Sequence, residues 1–330
     1  MKPLPRRRFI AGAAFLLAAP ALVHAQPGTR RRTIGVVMPS TASSTANLTR
    51  AFEQGLQDLG YARGRDLAVE YRYSDGNGGR IGALAEELGR LHAEVVVTTT
   101  DAVVRTVARH TGDIPIVMVN ASDPVGNGLV KSLAQPGGKI TGLTNLSPEI
   151  TGKRIELLKE CIPGLREVVY LWNPEISGAR EVFEQVQSAG QHFALRLRSI
   201  EVRRSDDIRA ALGRLPAGEG HALLAQAPNP DLYTHRGLIC TSAIAARLPS
   251  IFNRVEYLEA GGLMSYGPNV PEMYRRAAYY VDRILKGAPP ASLPVEQPSK
   301  FELAINLRTA RLLGVEVPQT LLSRANRTVS

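Results

Sequence analysis

Short apolar runs alternate with amphipathic segments from Thr33 onward, and this alternation restricts the fold more than any other feature of the chain. Runs such as Ile34–Met38 and Val95–Val97 are apolar at consecutive positions, which is typical of strands buried on both faces of a parallel sheet. Between the runs, apolar residues recur at helical spacing, as at Leu48 and Phe52. The pattern predicts an α/β fold with right-handed crossovers.

The alternation starts a second time after about residue 145, so the 330-residue chain is expected to form two lobes. A chain of this length exceeds the size at which a single core usually stops growing. If the C-terminal part of the chain passes from one lobe to the other and back, the whole chain crosses between the lobes three times. We predict two doubly wound parallel-sheet lobes joined by three crossover segments. The expected boundaries are 33–145 plus about 268–293 for lobe 1, 146–263 plus about 300–325 for lobe 2, and about 142–146, 264–268 and 294–301 for the hinge segments.

The first 25 residues have the layout of an export signal. Three arginines at 6–8 precede an apolar run at 9–22, and the segment ends in Val23-His24-Ala25, an A-x-A-like cleavage site. The run is too short and too rich in alanine for a membrane span, which needs about 20 strongly apolar residues. We predict a signal peptide at 1–25, of the general secretory or twin-arginine type, a flexible leader at 26–32, and a periplasmic protein. An uncleaved membrane anchor is the alternative.

The charge of the chain does not favour a nucleic-acid partner. The formal net charge is +10, and Lys2 with the three arginines of the signal supplies four of these charges, which leaves +6. The remaining basic residues are spread out, and aromatic residues make up only 5% of the chain. Proteins that bind nucleic acids concentrate basic residues on one face. Nucleic acid is therefore excluded from the predicted partners.

The sequence holds no motif of catalysis or metal binding. The histidines lack the spacing to another His, Cys or acidic residue that a zinc site needs. The patterns GxSxG, HExxH and a Walker-type loop are missing. Cys161 and Cys240 fall in apolar helical patterns and are interpreted as buried free thiols, although an oxidising compartment permits a disulfide. We predict no catalytic residue, no metal and no cofactor.

Candidate ligand-binding residues come directly after the predicted strands, because ligands of open α/β sheets bind outside the carboxyl ends of the strands. Hydroxyl, amide, carboxylate and aromatic side chains at these positions suit a zwitterionic or otherwise polar small molecule. For Trp172, the aromatic candidate in lobe 2, a place in the core is an equally good interpretation. The predicted ligand-binding residues are Ser40, Thr41, Thr99, Thr100, Asn120, Ser122 and Asp123 in lobe 1, Trp172, Asn173 and Asn229 in lobe 2, and Tyr266 at the hinge.

Two kinds of ligand group are expected at these residues. The hydroxyls of Ser40, Thr41 and Thr100 are expected to hold an anionic group, and Asp123 is expected to hold an amine. Thr100 can instead cap the helix that follows it. Asp123, which precedes a proline, can instead open a helix from about 126 to 134.

Several short motifs, spread over the chain after the signal, point together to one family. They include Ile114-Pro115-Ile116-Val117, Asp123-Pro124-Val125-Gly126, Pro136-Gly137-Gly138, Leu171-Trp172-Asn173-Pro174, the segment from Gly261 to Gly267, and Leu293-Pro294-Val295-Glu296-Gln297-Pro298. In combination they resemble the ABC transporter substrate-binding proteins of the tryptophan/tyrosine-type family. The resemblance implies a type I periplasmic-binding fold with three crossover strands, ligand capture in the cleft between the lobes, and docking onto an inner-membrane ABC permease.

The predicted function is therefore that of a monomeric, extracytoplasmic solute-binding protein without enzymatic activity. It would capture a small polar molecule, such as an aromatic amino acid, by closure of two lobes. Two alternatives stay open at this point. One is a ligand-binding sensory protein that docks on a membrane receptor. The other is a two-lobed racemase or isomerase, which would need a paired acid and base, such as two facing cysteines, across the cleft.

Overall fold

The computed structural model describes residues 31–62, 64–145, 147–175, 179–204, 206–216, 219–225, 230–298 and 300–330. The predicted signal peptide at 1–25 and the leader up to residue 30 lie outside the described residues. Within the described part, no helix combines the length and the apolar character that crossing a membrane requires.

Strands and helices alternate along most of the described chain. The strands are β1 (Arg32–Met38), β2 (Leu67–Tyr73), β3 (Val95–Thr99), β4 (Ile116–Ala121), β5 (Ile140–Thr144), β6 (Glu167–Trp172), β7 (Arg196–Glu201), β8 (His221–Ala225), β9 (Ser250–Phe252), β10 (Met264–Pro268), β11 (Phe301–Asn306) and β12 (Arg327–Val329). The α-helices are α1 (Ala46–Asp58), α2 (Ile81–Arg90), α3 (Asp101–His110), α4 (Ser147–Cys161), α5 (Ala179–His192), α6 (Asp207–Leu212), α7 (Pro230–Thr234), α8 (Arg236–Ala245), α9 (Glu256–Glu259), α10 (Val270–Leu285), α11 (Leu307–Leu313) and α12 (Gln319–Leu322).

The first sheet has five parallel strands in the order β2-β1-β3-β4-β5. Its inner strands β3 and β4 are buried along their whole length, as their continuous apolar sequences predict. The strand order reverses between β1 and β3. In doubly wound sheets, such a reversal opens a crevice at the carboxyl ends of the two strands, where ligands bind.

The second sheet repeats this arrangement. Its strands lie in the order β12-β11-β10-β9-β8-β6-β7, so that β7-β6-β8-β9-β10 reproduces the order of the first sheet. All of its pairs are parallel except that of β10 with β11, which is antiparallel. The prediction of an α/β protein with two parallel-sheet lobes is confirmed. We call the first sheet with its helices the first lobe and the second sheet with its helices the second lobe.

The chain passes between the lobes more than once. After β5 of the first sheet it enters α4, which belongs to the core of the second lobe. After β10 of the second sheet it enters α10, which packs on α1 in the core of the first lobe. It then returns to the second sheet as β11. Two of these passages are joined, because Thr144 N donates to Glu296 O at 3.0 Å and Glu296 N donates to Gly142 O at 2.9 Å.

The helix predicted from about 126 to 134 is wrong. This segment forms successive turns instead. Asp123 Oδ1 accepts a hydrogen bond from Gly126 N at 2.8 Å, which closes a local turn, and Gly128 has a φ of +67° that a right-handed helix does not allow. The aspartate thus has the capping geometry of a helix start, but the backbone conformation of Gly128 does not continue a helix.

Both cysteines are free and buried in the second lobe. Cys161 ends α4 and Cys240 lies in α8, and the two belong to different hydrophobic clusters. Burial raises the pKa of Cys161 to about 11 and that of Cys240 to about 12. The interpretation as buried free thiols is therefore confirmed.

Candidate ligand-binding cleft

A cavity of about 50 Å³ lies between the lobes, at the carboxyl ends of the strands of both sheets. Its lining follows β1, β3 and β4 on one side and β9 on the other, as expected for ligand sites of doubly wound sheets. The first lobe contributes Met38, Pro39, Ser40, Thr45, Leu48, Thr99, Thr100, Asn120, Val270 and Tyr274, and the second lobe contributes Tyr233, Asn253, Arg254 and Tyr257.

Four of the predicted ligand-binding residues line this cavity. They are Ser40 after β1, Thr99 and Thr100 at the end of β3, and Asn120 in β4. The structure therefore brings together residues from three strands, as predicted from the rule on strand ends.

The backbone is strained at two of these four residues. Thr100 has a φ of +57° and Asn120 a φ of +65°. A positive φ is uncommon for any residue with a side chain and is a genuine outlier for a β-branched threonine. Such strain costs about 1–3 kcal/mol per residue and is concentrated at functional sites. Thr100 precedes α3 but its side chain makes no capping hydrogen bond to the helix.

Asn120 lines the cavity, and its side-chain oxygen is engaged within the first lobe. Its Oδ1 accepts a hydrogen bond from Asn145 Nδ2 at 2.9 Å, and the same Nδ2 also donates to the carbonyl oxygen of Asn120 at 3.3 Å. The second bond identifies the Asn145 group as the donor, so the oxygen of the Asn120 amide must face it. The nitrogen of the Asn120 amide is then left for the cavity.

Arg254 and Glu256 form an ion pair at the edge of the cavity, with 2.8 Å between Arg254 Nη2 and Glu256 Oε1. Both side chains are almost fully buried, with 11% and 7% of their surfaces exposed. Burial alone would raise the pKa of Glu256, but the arginine charge and its hydrogen bonds, with one from Asn47, lower that pKa to about 2. Burial alone would lower the pKa of Arg254, and the glutamate charge raises it above its usual value. Both groups are therefore ionised at neutral pH.

Tyr233 holds the arginine from the other side. The Arg254 guanidinium lies over the Tyr233 ring, 3.8 Å from its centroid, and Arg254 Nη2 donates to the Tyr233 hydroxyl at 3.2 Å. Burial raises the pKa of this hydroxyl, so it stays protonated and can donate in turn. The ring and the carboxylate together fix the plane of the guanidinium.

Two hydrogen bonds cross the cleft beside this group. Asn47 Nδ2 in α1 donates to Glu256 Oε1 at 2.9 Å, and the Tyr233 hydroxyl donates to the Ser44 carbonyl at 3.0 Å. In each pair, one residue belongs to the first lobe and its partner to the second. The two lobes are therefore in direct polar contact in this structure.

Three of the predicted residues in the second lobe and at the hinge are held away from the cavity. Trp172 belongs to the core, where it stacks on Phe183 at 4.5 Å and its Nε1 donates to Ser199 Oγ at 2.7 Å. The Asn173 side chain is occupied by local hydrogen bonds to its own loop and to the backbone after β7. Tyr266 lies in β10 beside Phe301 and does not line the cavity.

Three further predicted residues follow the strands of the first lobe but do not line the cavity. Thr41 makes hydrogen bonds within its own turn. The backbone of Ser122 donates to the buried Asp101 carboxylate at 2.7 Å. Asp123 is exposed, and its carboxylate closes the turn to Gly126. Asn229 lies outside the described residues. The ligand-binding roles of all eleven residues stay predictions.

Sequence reasoning missed most of the cavity wall from the second lobe. Arg254 comes two residues after β9, so the rule on strand ends could have found it. Tyr233, Tyr257 and Tyr274 lie in or next to helices, and no local pattern separates them from core residues. Neither Cys161 nor Cys240 lines the cavity. Within the described residues, no group of three or more His, Cys, Asp or Glu is placed to hold a metal ion.

Two similar α/β lobes with a cavity between them have the architecture of two-lobed proteins of the periplasmic-binding type. Within that class, residues 33–329 match the sequence profile of the family described as ABC transporter substrate binding protein, and the chain belongs to this family. It is a substrate-binding protein of the ABC transporter type.

Individual relatives agree with this assignment. The tyrosine-binding protein of Clostridioides difficile is 22% identical over 293 residues, which cover 87% of this chain and 82% of the relative. The crystal structure of a conserved domain protein from Vibrio cholerae has a TM-score of 0.84 at 26% identity, over 91% of this chain and 100% of that one. An ABC domain from Streptococcus pneumonia, solved in complex with L-Trp, has a TM-score of 0.82 at 21% identity, with the same coverage of 91% and 100%.

Proposed function

We propose that this chain is the extracytoplasmic solute-binding component of an ABC importer, which captures a small molecule by closure of its lobes and delivers it to an inner-membrane permease. The observation that carries the proposal is the cavity whose walls come from both lobes. A ligand in it touches both walls only when the lobes are closed. It therefore shifts the equilibrium between open and closed states by its difference in affinity for the two.

The three passages of the chain between the lobes serve as hinges in this proposal, at about 142–146, 264–268 and 294–301. The hydrogen bonds between the first and the third passage support a common axis, because they oblige the two segments to move together. The lobe boundaries are then 33–145 with about 268–293, and 146–263 with about 300–325.

The proposed ligand is an aromatic amino acid. The name of the tyrosine-binding relative and the L-Trp complex of the structural neighbour support this class. The cavity supports it as well, because apolar side chains and tyrosine rings form much of its wall. Tyr274 remains a neutral phenol, since burial raises its pKa to about 12.

Export completes the proposal. A binding protein that serves an inner-membrane permease works in the periplasm, and the signal-like segment at 1–25 would direct it there. We expect N-terminal sequencing of the exported protein to begin at Gln26. An intact N-terminus in the membrane fraction would instead identify the segment as an anchor.

A thermal-shift screen of the chain from Gln26 onward tests ligand binding. The panel contains aromatic and aliphatic amino acids, sugars and nucleobases. A ligand that binds only the folded state stabilises it by about 2.7 kcal/mol at a hundredfold excess over the dissociation constant. We expect this shift with tyrosine or tryptophan. A shift with sugars or nucleobases alone would discard the aromatic ligand and keep the binding function.

Two further measurements separate closure and import from binding itself. Small-angle scattering should show a smaller radius of gyration when the ligand is bound, and an unchanged radius would contradict closure. Uptake of the labelled ligand into vesicles that contain the cognate permease and ATPase should require this protein. Binding without any stimulation of uptake would favour a sensory role.

A further inference from the structure

Of the charged side chains around the cavity, a positive one lines it, while the nearby carboxylates are already paired. Among the described residues that line the cavity, Arg254 is the only one with a charged side chain. The two buried carboxylates nearby are already occupied. Glu256 is paired with Arg254 and Asn47, and Asp101 accepts hydrogen bonds from the backbone of Ser122 and Asp123. No lining residue in the described part of the chain therefore offers a carboxylate to an ammonium group.

Arg254 has one edge left for a ligand. Its Nε and Nη2 donate to Glu256 at 3.3 and 2.8 Å, and Nη2 also donates to Tyr233. Within the described residues Nη1 makes no hydrogen bond, while the side chain borders the cavity. Because Glu256 and the Tyr233 ring fix the guanidinium plane, Nη1 is held in place before a ligand arrives. A charge-assisted hydrogen bond from such a donor is about twice as strong as a neutral one.

The opposite wall adds neutral donors. Asn120 lines the cavity with its Oδ1 engaged with Asn145, so its Nδ2 is the group of this side chain that can donate to a ligand. Ser40 and Thr100 add hydroxyls, which donate or accept as the ligand requires. An oxygen-rich anion between Arg254 and Asn120 would accept hydrogen bonds from both lobes at once. An ammonium group in the same place would face the arginine charge.

The rest of the lining is apolar and aromatic. Met38, Leu48 and Val270 line the cavity together with the rings of Tyr257 and Tyr274. This wall favours a ligand with an apolar or aromatic body and a single anionic end.

From these observations we infer that the cavity recognises its ligand through a carboxylate bound at Arg254 Nη1, and that an amine on the ligand is not required. This inference rests on the proposed function, because it describes the same site. It extends the ligand class from aromatic amino acids to carboxylates with an apolar body. Glu256 acts as a positioning residue, since it orients Arg254 without contacting the ligand.

Three matched probes test the inference by titration calorimetry on the chain from Gln26 onward. They are L-tyrosine, 3-(4-hydroxyphenyl)propanoate, which lacks the amine, and tyramine, which lacks the carboxylate. We expect the propanoate to bind within about tenfold of L-tyrosine, and tyramine to bind at least about tenfold more weakly than the propanoate, as loss of a hydrogen bond to a charged group implies. Tyramine that binds as tightly as the propanoate would overturn the inference.

A fourth probe, the aliphatic 4-methylpentanoate, separates this inference from the proposed ligand. If 4-methylpentanoate binds and the aromatic compounds do not, the aromatic ligand of the proposed function fails and the inference stands. If amines, sugars or nucleobases bind and no carboxylate does, the inference fails and solute binding stands. Absence of binding by every carboxylate would also overturn it.

Variants test the residue itself. Arg254→Gln leaves Glu256 as an unpaired buried charge and can unfold the protein. The double variant Arg254→Gln/Glu256→Gln removes both charges together, and we expect it to bind the propanoate at least about tenfold more weakly. Glu256→Gln alone retains Arg254 and should still prefer the propanoate to tyramine. The matched control is Arg203→Gln, which removes a half-exposed arginine paired with Glu175 and Glu201 and should bind like the wild type. A double variant that folds and binds the propanoate normally would refute the role of Arg254.

Discussion

Thr100 holds a backbone conformation, φ +57° and ψ +148°, that is close to a region populated almost only by glycine. The residue lies between β3 and α3, where the chain must leave a fully buried strand and turn directly into a helix. A threonine there places its hydroxyl at the cavity wall at the expense of stability. The strained residue is therefore explained by the ligand site better than by the fold.

Replacement of Thr100 separates its effect on stability from its effect on ligand binding. We expect Thr100→Gly to raise the free energy of unfolding by about 1 kcal/mol, because relief of about 1–3 kcal/mol of strain exceeds the entropic cost of glycine. Thr100→Ala keeps a Cβ at the same φ and should give no such gain. Both variants lose the hydroxyl and should bind ligand equally weakly. Urea denaturation and calorimetry measure the two properties, and equal stability of the variants would contradict the account of strain.

Glu256 makes the stability of the protein depend on pH. Its pKa in the folded protein is about 2, against an ordinary value of 4.5, because the effect of Arg254 outweighs that of burial. A depressed carboxylate pKa stabilises the folded state above pH 4.5, and this contribution is lost as the pH falls from about 4.5 towards 2. The size is of the order of 3 kcal/mol.

The Arg254→Gln/Glu256→Gln variant isolates this contribution. We expect the free energy of unfolding of the wild type, relative to this variant, to be constant between pH 7 and 5 and to decrease at lower pH. Urea denaturation at several pH values measures both proteins. Parallel pH profiles would show that Glu256 is protonated and deprotonated equally easily in the folded and unfolded states.

At the scale of elements, the sequence predicted those parts whose pattern is local. Strands β3 and β6 follow from continuous apolar runs, and α10 from apolar residues at helical spacing. It failed at 126–134, where an aspartate cap and a proline resemble a helix start but the positive φ of Gly128 is incompatible with a helix. The local pattern also gave no sign that the crossing segment Met264–Pro268 is a strand paired on both sides. Pairing with strands that are distant in sequence leaves no local signal in a segment where polar, apolar and glycine residues are mixed.

Contact between α1 and α10 depends on a glycine. A Cβ at Gly55 would lie 2.4 Å from the Arg275 carbonyl oxygen and 2.9 Å from Ala278 Cβ. We expect Gly55→Ala to destabilise the protein by about 2 kcal/mol, because the backbone of α10 must move to admit the methyl group. Gly89, in α2, has open space around its Cβ position, so Gly89→Ala should stabilise by about 0.5–1 kcal/mol. Denaturant unfolding of both variants measures this, and equal effects would contradict the close approach of the helices.

At the scale of the molecule, the sequence predicted four residues of the first-lobe wall of the cavity and missed most of the second-lobe wall. These four residues follow consecutive strand ends, as at Thr100 and Asn120, which a single rule on parallel sheets locates. The second-lobe wall depends on how one lobe faces the other. Tyr233 and Arg254 come from separate elements and meet only through tertiary packing, which no spacing in the sequence records.

The hydrogen bond from Asn47 to Glu256 joins the lobes without lining the cavity, so it allows closure to be tested apart from ligand contact. It can form only when the lobes are together, and a hydrogen bond to a charged group contributes about 1.5–3 kcal/mol. We therefore expect Asn47→Ala to lower the closed population and to weaken the binding of every ligand by a common factor of about ten or more.

The common factor is the decisive part of this prediction, because loss of a direct ligand contact would weaken some probes and spare others. Calorimetry with L-tyrosine and 3-(4-hydroxyphenyl)propanoate should give the same ratio of wild-type to variant affinity for both. Small-angle scattering of the unliganded variant should show a larger radius of gyration than the wild type. Thr49→Ala is the control, since among the described residues its hydroxyl bonds to the Ala46 carbonyl within α1 alone, and it should leave both measurements unchanged. Unaltered affinity in Asn47→Ala would mean that other contacts hold the lobes together. The hydrogen bond between Asn47 and Glu256 would then not contribute to ligand binding.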